Sequence, residues 1–175
     1  LYNLDKARGP AHDQGSIIAV EGYVDVIAMH RAGLPMAVAP LGTALTEDQL
    51  ALLWKIAPEP TLCFDGDSAG LKAAYRALDL ALPLLKPGHS LKFALLPEGQ
   101  DPDDLLKSQG AEALKQVVAS AQPLSDVLWQ RALEPFAGAW ALPGGVLASD
   151  ETLEASIRRH LAVKVDLAEV AHLEQ

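Results

Sequence analysis

Four short apolar runs alternate with helical stretches along the first 121 residues, and this alternation constrains the fold more than any other feature. Each run is too short for a helix and is rich in β-branched or apolar residues, as buried parallel strands are. The alternation predicts an α/β domain with a mostly parallel sheet wound by crossover helices. The four predicted strands are Ser16–Glu21, Met36–Ala39, Thr61–Phe64 and Leu91–Leu96.

Capping signals place the helices between these strands. Thr46 and Gln49 have the spacing of a capping box, which predicts a helix beginning at Thr46. Asp101 followed by Pro102 predicts the start of another helix, because proline is tolerated at the first helical position. Two further helices are expected from about residue 23 to 32 and from about 68 to 82.

The chain of 175 residues is long enough for one α/β domain and a small appendage. We interpret residues 1–15, which are polar and end in Gly15, as a connector and residues 16–121 as the α/β domain. Residues 122–175 are expected to form a small all-helical subdomain, although residues 136–150 follow no pattern that we can place. The opening residues lack an initiator methionine, so we expect the chain to be a fragment.

Composition excludes several classes of protein. The apolar runs are too short to cross a bilayer, and no secretory signal is evident, so we expect a cytoplasmic protein. The single cysteine, Cys63, lies in an apolar run and is interpreted as a buried hydrophobe. The net charge of −9 fits an acidic domain without a polyanionic partner. It also fits a metal site that offsets carboxylates, with a basic surface elsewhere in a longer protein.

Carboxylates follow three of the four predicted strands. The carboxyl ends of parallel strands meet at one edge of a sheet, where ligands bind, so these groups are expected to converge. Converging like charges need protons or cations, and oxygen-only ligands suit Mg²⁺ better than Zn²⁺. The sequence therefore predicts a metal-dependent enzyme core acting on phosphates. The carboxylates are Glu21, Asp25, Asp65, Asp67, Asp101 and Asp103.

Each carboxylate also has an ordinary structural interpretation. Asp65 and Asp67 flank Gly66, and an Asp-Gly-Asp sequence equally suits a surface turn. Asp25 is placed to complement the dipole of a helix, and Asp101 to cap one. These alternatives stay open on the sequence alone.

The wider sequence resembles a known family. Glu-Gly-x-x-Asp followed by Asp-x-Asp resembles the Toprim fold, which primases, topoisomerases and some nucleases share. Five segments from residue 1 to about 130 resemble bacterial replicative primases: LYNLDKAR, VEGYVDVIAMHRAGL, APLGTALTEDQL, CFDGDSAGLKAAYRAL and LPEGQDPDDLL.

The resemblance implies synthesis of short RNA primers on single-stranded DNA from ribonucleoside triphosphates. It implies that Glu21, Asp65 and Asp67 are the central catalytic and metal-binding residues, with Asp25, Asp101 and Asp103 completing the cluster. Mg²⁺ is the expected cofactor and Mn²⁺ its substitute, whereas zinc is expected only in a missing amino-terminal module. The resemblance also implies that residues 1–15 connect from a missing upstream basic subdomain, and that a replicative helicase would bind through a missing carboxy-terminal domain. This chain alone is expected to make little primer.

Four further residues are weaker candidates for binding nucleotide or template. Gly42 and Thr43 follow the second strand, where main-chain N–H groups could approach a phosphate. Lys72 and Arg76 share one helix face just after the acidic turn. The competing interpretations are another Toprim enzyme, namely a topoisomerase or nuclease, and a catalytically silent module that binds a metal or a partner.

Overall fold

The computed structural model describes residues 1–40 and 44–133, together with the backbone of two short strands at Ala141–Leu142 and Gly145–Val146. The chain divides into two compact units, Leu1–Leu128 and Trp129–Gln175. Among the helices of the described residues, none is long and apolar enough to cross a membrane.

A five-stranded sheet lies in the first unit. Its strand order is β2-β1-β3-β4-β5, in which the first four strands are parallel and β5 is antiparallel to β4. The predicted α/β class with a mostly parallel sheet is therefore confirmed. The strands are β1 (Ile18–Ala19), β2 (Ala37–Val38), β3 (Thr61–Phe64), β4 (Lys92–Leu95) and β5 (Gln122–Pro123).

Helices connect and flank these strands. The Thr46 capping box is confirmed: Thr46 Oγ1 accepts from the Gln49 N–H at 3.3 Å, and Gln49 Oε1 accepts from the Thr46 N–H at 3.1 Å. A 3-10 helix, Leu82–Leu84, extends the fourth helix. The described helices are α1 (Leu4–Gln14), α2 (Tyr23–Arg31), α3 (Glu47–Trp54), α4 (Ser68–Ala81), α5 (Pro102–Gln109), α6 (Ala111–Ala119) and α7 (Leu124–Leu133).

The prediction that residues 1–15 are a connector is wrong, because residues 4–14 form helix α1. Its Ala7 and Ala11 side chains are fully buried in the core. Asn3 precedes the helix in a left-handed conformation, and its Nδ2 donates to the Ala37 carbonyl at 2.9 Å. Core packing and this side-chain bond outweigh the poor helix propensity of Gly9 and Pro10.

Four further elements were not predicted. Helix α6 follows Gly110 directly, and β5 adds a short antiparallel edge to β4. In the second unit, β6 (Ala141–Leu142) and β7 (Gly145–Val146) pair antiparallel within the segment that matched no family pattern. Residues 147–175 of the expected all-helical subdomain lie outside the described residues.

The core is built from side chains of the sheet and of the helices packed on it. Phe93 from β4 and Ile18 from β1 are almost fully buried, as are Met29 and Leu78 from the helices. Cys63 is also buried, as predicted, and this burial raises the pKa of its thiol. This core fixes the carboxyl ends of β1 and β3 beside each other.

Candidate active site

Glu21 and Asp65 leave neighbouring parallel strands at the same edge of the sheet. Their strands pair in register, with Ala19 opposite Leu62. Just beyond the strand ends, the main-chain N–H of Asp65 donates to Oε1 of Glu21 at 3.2 Å. The structure thus brings these two predicted residues together, and the bond orients the Glu21 carboxylate across the end of β3.

Asp25 is the buried member of the predicted acidic group, with 8% of its surface exposed. Its Oδ2 accepts from the Gly22 N–H at 2.8 Å, which holds the side chain over the first turn of α2. Burial raises the pKa of Asp25, partly opposed by the Gly22 bond, and the charges of Asp101, Glu21 and Asp103 raise it further.

The pKa of Asp65 shows how closely the carboxylates approach one another. Burial is the largest cause of its increase to about 7, and the charges of four neighbours add to it. These neighbours lie around the same strand end, because the Asp65 N–H donates to Glu21 and the Gly66 N–H donates to the Gln100 carbonyl, directly before Asp101. The neighbours are Glu21, Asp25, Asp101 and Asp67.

Asp67 and Asp101 each cap a helix. Oδ1 of Asp67 accepts from the N–H groups of Ala69 and Gly70 at 2.8 and 2.7 Å, at the start of α4. Oδ1 of Asp101 accepts from the Asp104 N–H at 2.7 Å, at the start of α5. A cap uses one carboxylate oxygen, so capping is compatible with a ligand on the other.

Asp103 is paired with cations. It forms an ion pair with Lys107 on α5, and Arg31 Nη1 of α2 lies 3.9 Å from its other oxygen. We did not single out Lys107 or Arg31 from the sequence. The four-residue spacing of Asp103 and Lys107 was the available signal for the first pair, whereas the Arg31 contact depends on the packing of α2 against α5.

Two glycines allow the acidic turn to pack closely. A Cβ atom on Gly66 would overlap the Pro97 carbonyl oxygen, and one on Gly70 would overlap the Asp65 carbonyl oxygen. Neither close approach was predicted from the sequence. Both glycines are required because main chain, rather than a movable side chain, fills the space.

A pocket of about 370 Å³ lies beside Glu21, between α4 and the ends of β1 and β3. Small apolar side chains such as Ala73 and Ala77 line most of it, and Arg76 and Glu21 supply its charges. Lys72 is exposed on the same helix but does not line the pocket. The candidates Gly42 and Thr43 lie outside the described residues.

This chain resembles known proteins over most of its length. A family model described as Toprim domain matches residues 15–94. A DNA primase from Pseudomonas aeruginosa is 45% identical over 132 residues, which are 75% of this chain and 20% of that protein. The chain is a Toprim-domain protein related to bacterial DNA primases.

Solved structures agree with this assignment of the Toprim domain. A DNA primase domain from Pseudomonas aeruginosa matches with a TM-score of 0.73 and 40% identity, covering 90% of this chain and 46% of the other. A DnaG primase catalytic domain bound to single-stranded DNA matches with a TM-score of 0.71 and 33% identity, covering 95% and 49%. The chain spans about a fifth of the length of the curated relatives it matches.

The donor set of this Toprim domain fits Mg²⁺ better than it fits a softer metal. The converging ligands are carboxylates only, and the nearby thiol of Cys63 is buried and protonated. As placed, no three His, Cys, Asp or Glu side chains of residues 1–40 and 44–133 could hold one ion together. Mg²⁺ commonly binds one or two carboxylates and completes its shell with water and substrate phosphate, so Glu21, Asp65 and Asp67 remain suitable ligands.

Proposed function

We propose that this chain is the Toprim part of a DNA primase that synthesises short RNA primers on single-stranded DNA by Mg²⁺-dependent nucleotidyl transfer. The observation that carries the proposal is the convergence of carboxylates around the end of β3, whose charges add to the effect of burial in raising the pKa of Asp65 to about 7. A group of this kind favours a bound cation, because the cation relieves the repulsion among the carboxylates.

The proposed reaction joins the 3′-hydroxyl of the primer to the α-phosphate of an incoming ribonucleoside triphosphate, with pyrophosphate leaving. Bound Mg²⁺ would lower the pKa of the attacking hydroxyl and screen the triphosphate. Glu21, Asp65 and Asp67 would supply the carboxylate ligands, one or two to an ion, with Asp25, Asp101 and Asp103 around them. The Asp65 N–H bond keeps Glu21 turned toward this edge, so orientation is fixed before substrate arrives.

Substrate and partner binding belong to the same proposal. Arg76 lines the pocket beside Glu21 and would bind a phosphate of the incoming nucleotide, with Lys72 one helical turn earlier. A related DnaG catalytic domain was solved with single-stranded DNA, which supports the same template here. Because this chain has a net charge of −9, most of the affinity for the DNA template would come from a basic subdomain outside this chain. We also propose a helicase partner bound through a further domain, and a cytoplasmic location at the replisome.

The test places this chain in a complete primase. The matching 132-residue segment of the Pseudomonas aeruginosa DNA primase is replaced by the residues of this chain, and RNA primer synthesis is assayed on single-stranded DNA. We expect primers with Mg²⁺ or Mn²⁺. We expect at least about a hundredfold loss in the Asp65→Asn and Glu21→Gln variants, because a displaced metal removes much of the transition-state stabilisation.

Matched variants make the result specific. Asp104→Asn and Glu47→Gln remove exposed carboxylates that do not contribute to the pKa of Asp65, and they should leave primer synthesis unchanged. A folded chimera that makes no primer, or site variants as active as the chimera itself, would refute the proposed function. DNA cleavage in place of primer synthesis would favour a topoisomerase or nuclease.

A further inference from the structure

The turn Pro97–Gln100 is joined to the acidic turn Asp65–Asp67 by main-chain hydrogen bonds. The Gly66 N–H donates to the Gln100 carbonyl at 3.0 Å, and the Gly99 N–H donates to the Gly66 carbonyl at 2.7 Å. These two bonds lie beyond the ends of β3 and β4, where the strand pairing has stopped. The two turns are therefore held together by their own contacts and not by the sheet.

Steric fit makes this contact close. The Pro97 carbonyl oxygen occupies the space that a side chain on Gly66 would fill. Gly99 adopts φ +72°, a left-handed conformation that glycine takes without strain, and its N–H donates to Gly66. Both glycines thus serve one contact. Gly66 leaves room for the turn Pro97–Gln100 to approach, and Gly99 allows that turn to bend back toward Gly66.

The second turn is also fixed to helix α5. Gln100 Nε2 donates to Oγ of Ser108 at 3.2 Å, and that hydroxyl donates to the Asp104 carbonyl at 2.7 Å. Asp101 follows Gln100 directly and caps the same helix. A shift of the turn would therefore move Asp101 and the start of α5 relative to Asp65.

Electrostatics explains why such a connection is needed. Asp65 and Asp101 are both carboxylates, and they repel each other when both are ionised. Side chains cannot hold the two groups together when both are ionised. Main-chain hydrogen bonds can, because their strength does not depend on the ionisation of the carboxylates.

We propose that the turn Pro97–Gln100 is a positioning element, which locks the acidic residues after β3 and those after β4 into one metal-binding unit. Gly66 and Gly99 are its positioning residues. The inference rests on the proposed metal-dependent function, and it adds a role for residues that carry no ligand. It predicts that metal affinity depends on the backbone conformation of Gly99, although Gly99 has no side chain with which to bind.

The experiment compares Gly99→Val with Gly99→Asn in this 175-residue chain. Valine strongly disfavours a positive φ, whereas asparagine tolerates it. Nothing lies within 4 Å of a Cβ at position 99, so neither side chain clashes. We expect Mn²⁺ affinity, measured by electron paramagnetic resonance of the free ion, to fall about tenfold in Gly99→Val and to stay within about twofold in Gly99→Asn.

Gly88 provides a matched control. It has φ +84°, an equally open Cβ position and no part in the acidic turns, so Gly88→Val should lower stability yet bind Mn²⁺ normally. Amide hydrogen exchange gives a readout without metal: Gly66 should lose protection in Gly99→Val and keep it in Gly88→Val. Unchanged Mn²⁺ affinity in Gly99→Val, or an equal loss in Gly88→Val, would overturn the inference.

The same experiment separates this inference from the proposed function. If the unsubstituted chain binds no Mn²⁺ while Gly66 remains protected, the metal-dependent function fails and the turn is only structural. If the unsubstituted chain binds Mn²⁺ and Gly99→Val binds it equally well, the function stands and the positioning role fails.

Discussion

Lys107 forms an ion pair with Asp103 one helical turn before it. The hydrogen bond to Asp103 is the largest cause of the raised pKa of Lys107, and the charge of Asp103 adds to it. Arg31 approaches the other oxygen of the same carboxylate. In the absence of metal, Lys107 and Arg31 therefore balance the charge of Asp103. A metal ion that binds Asp103 must compete with Lys107 for its carboxylate.

Removing Lys107 should strengthen metal binding. We expect Lys107→Met to raise Mn²⁺ affinity about threefold at low ionic strength, with a smaller effect in high salt, because a competing cation near the site is lost. Isothermal titration calorimetry at two salt concentrations measures the change. Lys115→Met is the control, since Lys115 pairs with Glu112 on α6 in a similar surface geometry; equal or weaker binding by Lys107→Met would contradict the competition.

Stability of the metal-free chain should fall as pH rises toward and through 7. The pKa of Asp65 is about 7 in the folded chain and about 4 when unfolded, so the folded state binds the proton more tightly. Its stabilising contribution is complete below about pH 4 and is lost as pH rises through the folded pKa. The raised pKa of Asp25 acts in the same direction.

The Asp65→Asn variant isolates this effect. The unfolding free energy of Asp65→Asn minus that of the unsubstituted chain should increase by about 1–2 kcal/mol between pH 5 and pH 8. This range allows for solvent screening, because Asp65 is partly exposed. Urea unfolding with a chelator present measures the difference. Asp104→Asn should show no such trend; a constant difference for Asp65→Asn would mean that its folded pKa is close to normal.

A methyl group at Gly70 should destabilise the fold on the order of 3 kcal/mol, because it would overlap the Asp65 carbonyl oxygen at the start of α4. Gly9 offers a matched comparison within helix α1, where a Cβ meets nothing within 4 Å. We expect Gly9→Ala to change the unfolding free energy by less than about 1 kcal/mol, because the better helix propensity of alanine is offset by crowding of its Cβ against Pro10. Urea denaturation should therefore show a much larger loss in Gly70→Ala than in Gly9→Ala, and a neutral Gly70→Ala would show that the contact can relax.

Arg76 should contribute to nucleotide binding through its position in the pocket beside Glu21. Arg76→Gln is expected to weaken the binding of a fluorescent ATP analogue in the presence of Mn²⁺ by about five- to tenfold, through loss of a charged phosphate contact. Arg8→Gln removes an exposed arginine of α1 and serves as the control. A similar loss in both variants would indicate only a general effect of charge.

The sequence predicted the elements whose signals are local. The bounds of β3 agree with the structure, because Pro60 and Asp65 delimit an apolar run that fills the strand. The Thr46 and Asp101 caps were also predicted correctly, since capping depends on side chains within a few residues. That Glu21 and Asp65 would lie together followed from parallel pairing of β1 and β3.

Elements that depend on distant contacts were missed. Helix α1 contains Gly9 and Pro10, and its stability comes from burying Ala7 and Ala11, which no local pattern reveals. Strand β5 has only two residues and is defined by pairing with Lys92 and Phe93 of β4. The link between Gly66 and the turn before Asp101 was missed for the same reason, because main-chain bonds across 34 residues leave no sequence signal.

The bridge between Tyr2 and Ala39 covers part of one edge of the sheet. The Tyr2 N–H donates to the Ala39 carbonyl at 2.7 Å, and the Ala39 N–H donates back at 3.4 Å. β2 is an edge strand of the five-stranded sheet. An edge strand with free N–H and C=O groups can pair with another molecule. Tyr2, which precedes α1, occupies the N–H and C=O groups of Ala39 at the end of β2. These groups are then unable to pair with the edge of another molecule, which disfavours edge-to-edge aggregation.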